Sequence, residues 1–224
     1  MTNAVRQTIA VARKDLQSEL RSRYALNALG MFVVVSVAVM AFAAGTERLT
    51  PGVASGLIWV TMFFAATTGL GRSFVSEEER GTTLLLRLTV APTPVYFGKL
   101  AINLLLALGS NVLIALLFLM MMTGAVVGSV GAFVAVVAVS SLGFAAALTI
   151  IAAIIARSSS KGALYPVLGF PVILPLMILG VDLLERAMLG DPVGELAGGL
   201  GMLGIYTAAI VAVSYVLFDM LWKE

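Results

Sequence analysis

The 224-residue chain contains no cysteine and no histidine. Without cysteine there is no disulfide framework, no thiolate metal site and no cysteine nucleophile. Without histidine the chain lacks the commonest general base and the commonest metal and haem ligand. A Ser-His-Asp triad, an HExxH zinc site and a histidine-ligated haem are all impossible within it. Charge is also scarce. Only 12% of residues are Asp, Glu, Lys or Arg, against about 25% in an average soluble domain. So little charge cannot cover a water-soluble globule, which excludes a cytosolic enzyme domain, a disordered chain and a nucleic-acid-binding protein. No GxxxxGK[ST] phosphate loop occurs either, so the chain is not expected to be an enzyme with its own nucleotide site.

What the chain does have is apolar sequence, 60% of it. A bilayer core about 30 Å thick needs about 20 apolar residues as a helix. Six stretches qualify: residues 25–44, 53–70, 100–122, 130–156, 163–181 and 200–218. None contains Asp, Glu, Lys or Arg. Backbone groups in lipid must be satisfied within the segment, and the short alternating segments of a barrel are absent. The expected fold is therefore all-α: one transmembrane domain over residues 1–224 with six spans. Ala41-Phe42-Ala43 faintly resembles a signal-peptide cleavage site. The charged region before it is too long, and five more spans follow.

The basic residues are distributed unevenly. Arg6, Arg13, Lys14, Arg21 and Arg23 precede span 1, and Arg72, Arg80, Arg87 and Lys99 lie between spans 2 and 3. Arg157 and Lys161 join spans 4 and 5, and Lys223 ends the chain. Only Arg48 and Arg186 fall on the other side. By the positive-inside rule both termini are expected in the cytoplasm, for a multi-pass protein of the cell inner (plasma) membrane.

Residues 1–24 form a different kind of element. Val5, Ile9, Ala12, Leu16, Leu20 and Tyr24 recur at helical spacing, while Arg6, Arg13, Lys14, Gln17 and Arg21 lie mostly elsewhere on the wheel. This predicts a basic amphipathic elbow helix lying at the cytoplasmic surface against anionic lipids.

The longest hydrophilic interval, residues 72–99, reads RSFVSEEERGTTLLLRLTVAPTPVYFGK. An acidic run ends at Arg80, Gly81 allows a break, and Thr82 or Thr83 caps a short helix. That helix presents Leu84, Leu85 and Leu88 on one side and Arg87 on the other. Pro92 and Pro94 stop it. Tyr96-Phe97 then sits at the interface, with Lys99 as a snorkelling anchor. A short helix with an exposed apolar face needs a receiver. On the pattern alone, the lipid interface and a soluble cytoplasmic subunit are equal candidates.

This stretch resembles the E-x-E-x-G-T run, leucine-rich turn, proline and Gly-Lys found after the second span of ABC-2-type permeases. There it is the coupling helix that sits on the ATP-binding subunit. The opening ARKDLQSELRSRYALNALGMF is similar to the Arg-Asp-Leu…Glu-x-Arg start of the haem exporter B subunit family, CcmB, of cytochrome c maturation. The stretch SSKGALYPVLGFPVILPLMILG, with Pro171 and Pro175 four residues apart, is similar to the same family. The resemblance implies that Glu77, Glu79, Gly81, Thr82, Leu85 and Pro92 form the ATPase-coupling element, with Glu78, Leu84 and Leu88 beside them. It further implies a permease that binds no cofactor directly. Haem would be the substrate of the complex, and ATP would be held by an ATP-binding cassette partner. A haem-handling membrane subunit or a second permease copy is the other expected partner, alongside membrane lipids.

Other features have weaker readings. Pro166, Pro171 and Pro175 in span 5 suggest a gating kink, or else a static one. Asn103, Ser110, Asn111, Ser140, Ser141, Tyr206 and Ser214 are expected to form interhelical hydrogen bonds. Gly52/Gly56 and Gly124/Gly128 suit close packing. Met120 to Met122 point different ways around a helix and share no metal. The extracytoplasmic segment 182–199, acidic up to Glu195, reads as a solvated loop, a short interfacial helix or a lid. Functional alternatives stay open: an exporter of another amphiphile (lipid, drug or polysaccharide), or a non-transporting scaffold. The spans lack the ionisable relays of ion-coupled transporters, and an intramembrane enzyme fits worst.

Overall fold

The computed structural model describes residues 3–22, 24–70, 73–122, 124–157 and 161–223, without the side chains of residues 22, 24, 25, 76, 161–167 and 223. The side chains of Arg23, Tyr24, Arg72, Lys161, Pro166 and Lys223, to which the sequence assigns roles, fall outside this set. The described residues form nine helices and no strand. They are α1 (Asn3–Ser22), α2 (Tyr24–Ala44), α3 (Pro51–Leu70), α4 (Val75–Glu79), α5 (Thr83–Thr89), α6 (Pro92–Met121), α7 (Val130–Ala156), α8 (Lys161–Leu189) and α9 (Val193–Lys223). Six of them, α2, α3, α6, α7, α8 and α9, are long and apolar enough to cross a membrane.

The helix ends follow from local chemistry. Gly45, at φ +57°, stops α2 and donates its amide to the Ala41 carbonyl at 3.0 Å. Pro51 and Pro92 open α3 and α6, where a missing amide costs nothing. Pro92, expected to end the short helix, thus starts the next one. Gly190, at φ +112°, ends α8.

α7 is the central helix. Its membrane-length window is 72% buried, against 17% for α2 and 22% for α9, which lie outside. Its many alanines let α6, α8 and α9 approach closely. Polar pairs tie it to α6: Asn103 donates to Thr149 at 2.8 Å, and Asn111 to Ser141 at 2.9 Å. Across the bundle, the buried Trp59 of α3 lies over Gly180 of α8. A Cβ at Gly180 would come within 1.8 Å of the indole.

Two expectations are corrected. Segment 182–199 is not a loop, because α8 continues to Leu189 and α9 begins at Val193. Leu183, Leu184, Ala187 and Met188 are buried, while Asp182 faces out. The extension is therefore amphipathic, and a hydropathy window ends where its charges begin. Glu185 lies over Gly52 in the first turn of α3, where the helix dipole favours a carboxylate. The second correction concerns span 3. α6 starts at Pro92, so Lys99 belongs to that helix and is only 1% exposed.

One end of the bundle gathers α1, α4, α5 and the start of α6. The other carries the turns near Gly45, Gly128 and Gly190. Gly128 and Ser129 there donate amides to the Met188 and Ala187 carbonyls, both at 3.0 Å.

Candidate functional site

The α4–α5 turn is built around Gly81. Its φ of +67° is the left-handed conformation that glycine adopts freely, and it reverses the chain after the acidic run. Thr82 follows as the residue before α5, but its hydroxyl does not cap the helix. It donates instead to Glu77 Oε2 at 2.6 Å. α5 buries Leu86 and leaves Leu84, Leu85 and Leu88 at 67%, 65% and 77% exposure. Arg87, on the other side, stacks over Trp222 of α9 at 5.4 Å. The short helix is thus fixed from behind and apolar in front.

Its base is a charge network centred on the buried Lys99. Lys99 Nζ donates to the Ser73 carbonyl at 2.7 Å and pairs with Asp15 Oδ2 at 3.0 Å and Glu77 Oε1 at 3.1 Å. Lys14 pairs with Asp15 at 3.1 Å and with the same Glu77 oxygen. Arg80 donates to Ser18 at 2.8 Å. Helices α1, α4 and α6 therefore meet on four charged side chains. Beside them Val11 of α1 sits directly on Gly98, where a Cβ would come within 2.8 Å of Val11 Cγ1.

Electrostatics follow from this geometry. Burial alone would raise the Glu77 carboxyl. The Lys99 charge and the hydrogen bonds from Lys14 and Thr82 overcome it and hold the group down at about 2. Burial would lower Lys14, but its hydrogen bond to Glu77 and the Asp15 charge raise it instead. Glu77 is thus an ionised, internally committed carboxylate, 12% exposed. Glu78 and Glu79 are exposed.

α1 also divides differently from its sequence pattern. Val11, with Thr8, Asp15 and Ser18, faces the protein. Val5, Ile9 and Leu20 of the apolar stripe point outward, as an interfacial helix requires.

In span 5, α8 runs unbroken through the proline positions. Pro171 is exposed and Pro175 half-buried. Tyr206 of α9 donates its hydroxyl to the Val172 carbonyl at 3.0 Å, supplying a donor beside the proline pair.

The family model for the CcmB protein matches residues 6–218. The chain belongs to the CcmB family. No curated protein sequence matches it. Family membership makes it a membrane permease subunit of the haem exporter for cytochrome c maturation, an ABC system with an ATP-binding subunit, and a multi-pass inner-membrane protein.

Within this CcmB chain the expected coupling residues separate into two groups. Leu84, Leu85, Leu88, Glu78 and Glu79 are at the surface. Glu77, Thr82 and Gly81 build the turn that holds them, and Pro92 opens α6. Asp15, Lys14, Ser73 and the Val11–Gly98 contact were not expected to join the site. Lys99 was expected as a snorkelling anchor and is instead buried among carboxylates. The available signal was Gly98-Lys99 itself: a glycine that admits a neighbour, next to a charge at the mouth of an apolar run.

Proposed function

We propose that α5 is the docking element through which a separate ATP-binding subunit drives this permease, converting ATP hydrolysis into haem export or release of the haem chaperone. The observation that carries this reading is the exposure of Leu84, Leu85 and Leu88 on a seven-residue helix anchored from behind. The basic-rich end that carries α1 and α5 then faces the cytoplasm, with both termini. Haem itself is held mainly by a partner membrane subunit, since this chain offers neither histidine nor cysteine. Docking buries each leucine, worth about 1.5–3 kcal/mol per fully buried side chain. Replacing Leu84 and Leu88 together by alanine therefore weakens association at least about tenfold. The assay is co-purification and quantitative binding of the ATP-binding subunit to the permease in nanodiscs. Unchanged association of the double variant refutes the docking role. Charge reversal at Glu78 and Glu79 tests any electrostatic contribution, because Glu77 is committed to Lys14 and Lys99.

A further inference from the structure

A cavity of about 370 Å³ lies between α1, the α4–α5 turn and α6, within the ~300–1,000 Å³ usual for small-molecule sites. Its wall is mixed, with the charged side chains gathered at the helix end. Lys14 and Arg80 line one part with Asp15, Glu19, Glu77, Ser18 and Thr82. Leu85 and Leu86 of α5 line another, and Lys99, Ile102, Asn103 and Leu106 follow along α6. Glu19 has a partner of its own. Along α6, Leu106 lies about 10 Å beyond Lys99 at 1.5 Å per residue. That direction leads from the helix end into span 3, towards hydrocarbon. Asn103, between Ile102 and Leu106, is committed to Thr149, so charged groups at the helix end with leucine and isoleucine beyond them suit an amphiphile. α1 puts the polar end at headgroup level, because its outward Val5, Ile9 and Leu20 place it in the membrane surface.

The charges then select the head. Lys14 and Lys99 are already paired with Asp15 and Glu77. Arg80 donates to Ser18 and has no carboxylate partner among the described residues. It is exposed, and its planar fork of donors matches a phosphate bidentately. We propose that this cavity binds one phospholipid, with the phosphodiester on Arg80 and an acyl chain along Ile102 and Leu106. The lipid would fill the space between the elbow helix and the α4–α5 turn. The site shares Leu85 with the face proposed to dock an ATP-binding subunit, and its test uses the permease chain alone, so the two readings fail separately.

The test is native mass spectrometry of the delipidated full chain titrated with phosphatidylglycerol. One tightly retained lipid is expected on the wild type. Arg80→Gln weakens it about tenfold or more, the scale of a lost charge-assisted hydrogen bond. Leu106→Trp fills the apolar end and abolishes it. Ser18→Ala breaks the Arg80–Ser18 link but keeps the guanidinium, so it retains the lipid. Met120→Ala, at an exposed side chain of the opposite end, also retains it. If Leu106→Trp fails to fold, Arg80→Gln against Ser18→Ala carries the test. Equal retention by wild type, Arg80→Gln and Leu106→Trp would show annular lipid only and overturn the proposal. So would equal loss in Ser18→Ala or Met120→Ala. Inorganic phosphate and glycerol 3-phosphate are the remaining arms. If either competes as well as the lipid at equal concentration, the site takes a free phosphate and the acyl-chain assignment fails.

Discussion

Replacing Glu77 by glutamine removes one charge from the cluster that seats α1 on α4 and α6, and leaves the side-chain shape nearly unchanged. The loss can be worked from the network. Holding this carboxyl at about 2 rather than 4.5 corresponds to about 3 kcal/mol, at about 1.36 kcal/mol per pH unit. Breaking a buried ion pair outright costs about 3–5 kcal/mol, but Asp15 stays 3.0 Å from Lys99 and keeps that ammonium partly paired. The expected loss is therefore about 2–3 kcal/mol, felt where α1 docks. In nanodiscs, amide exchange across α1 should accelerate about 30- to 150-fold, because each 1.4 kcal/mol is a factor of ten. The partner-dependence can be isolated with Lys99→Met. In that background the half-exposed Lys14 is the remaining cation paired with Glu77, beside the Thr82 hydroxyl that glutamine can still accept from, and such an ion pair is worth about 1 kcal/mol or less. Glu77→Gln should then change exchange by less than about fivefold. Exchange in the single variant within about threefold of wild type, or an equal effect in both backgrounds, would refute the assigned network.

The same carboxylate sets a pH response. Its folded value lies below its ordinary one, so its stabilisation is complete above about pH 4.5 and is lost as pH falls from there through about 2. Protection of α1 should be flat from neutral pH down to about 5 and decline below, and Glu77→Gln should flatten the decline. At the centre of the bundle, Gly180→Ala places a methyl 1.8 Å from the Trp59 ring. It should destabilise by about 1–3 kcal/mol in thermal unfolding, and less when Trp59 is also replaced by leucine. Additive effects of the two substitutions would show that the contact does not limit packing.

Hydropathy located all six spans because a helix in lipid must be apolar along its whole length. It misplaced their ends for a physical reason. A window stops at the first charge, whether that charge faces water, as Asp182 does, or is buried against carboxylates, as Lys99 is. The short helix was legible from Gly81, the threonines and the leucines, because turn chemistry is local. The choice Thr82 makes was not legible. Its hydroxyl had a helix terminus to cap and takes the Glu77 carboxylate instead. The charge network was beyond reach for the same reason. Lys14 and Glu77 are 63 residues apart, and neither helix announces the other. In α1 the sequence revealed the outward stripe of Val5, Ile9 and Leu20, since that face is apolar. The protein-facing side is small and polar, and reads as ordinary surface until Gly98 and Lys99 are seen against it.

This arrangement has a mechanical consequence for the docking role proposed for α5. A carboxylate exposed for a partner would tie α5 to that partner alone. Glu77 is turned inward, and its two oxygens divide the work: Oε2 takes the Thr82 hydroxyl at the entrance to α5, and Oε1 takes Lys14 and Lys99. Displacement of α5 is therefore opposed by α1 and by the start of span 3 together. Glycine at position 81 supplies the backbone reversal, while the Thr82–Glu77 bond limits how far the turn can open. A force applied at Leu84, Leu85 and Leu88 would have a route to the start of span 3 through Thr82, Glu77 and Lys99. An acidic cluster without the inward residue would lack that path, so in the docking role proposed for α5 Glu77 is the member of the run whose loss should uncouple it from the spans.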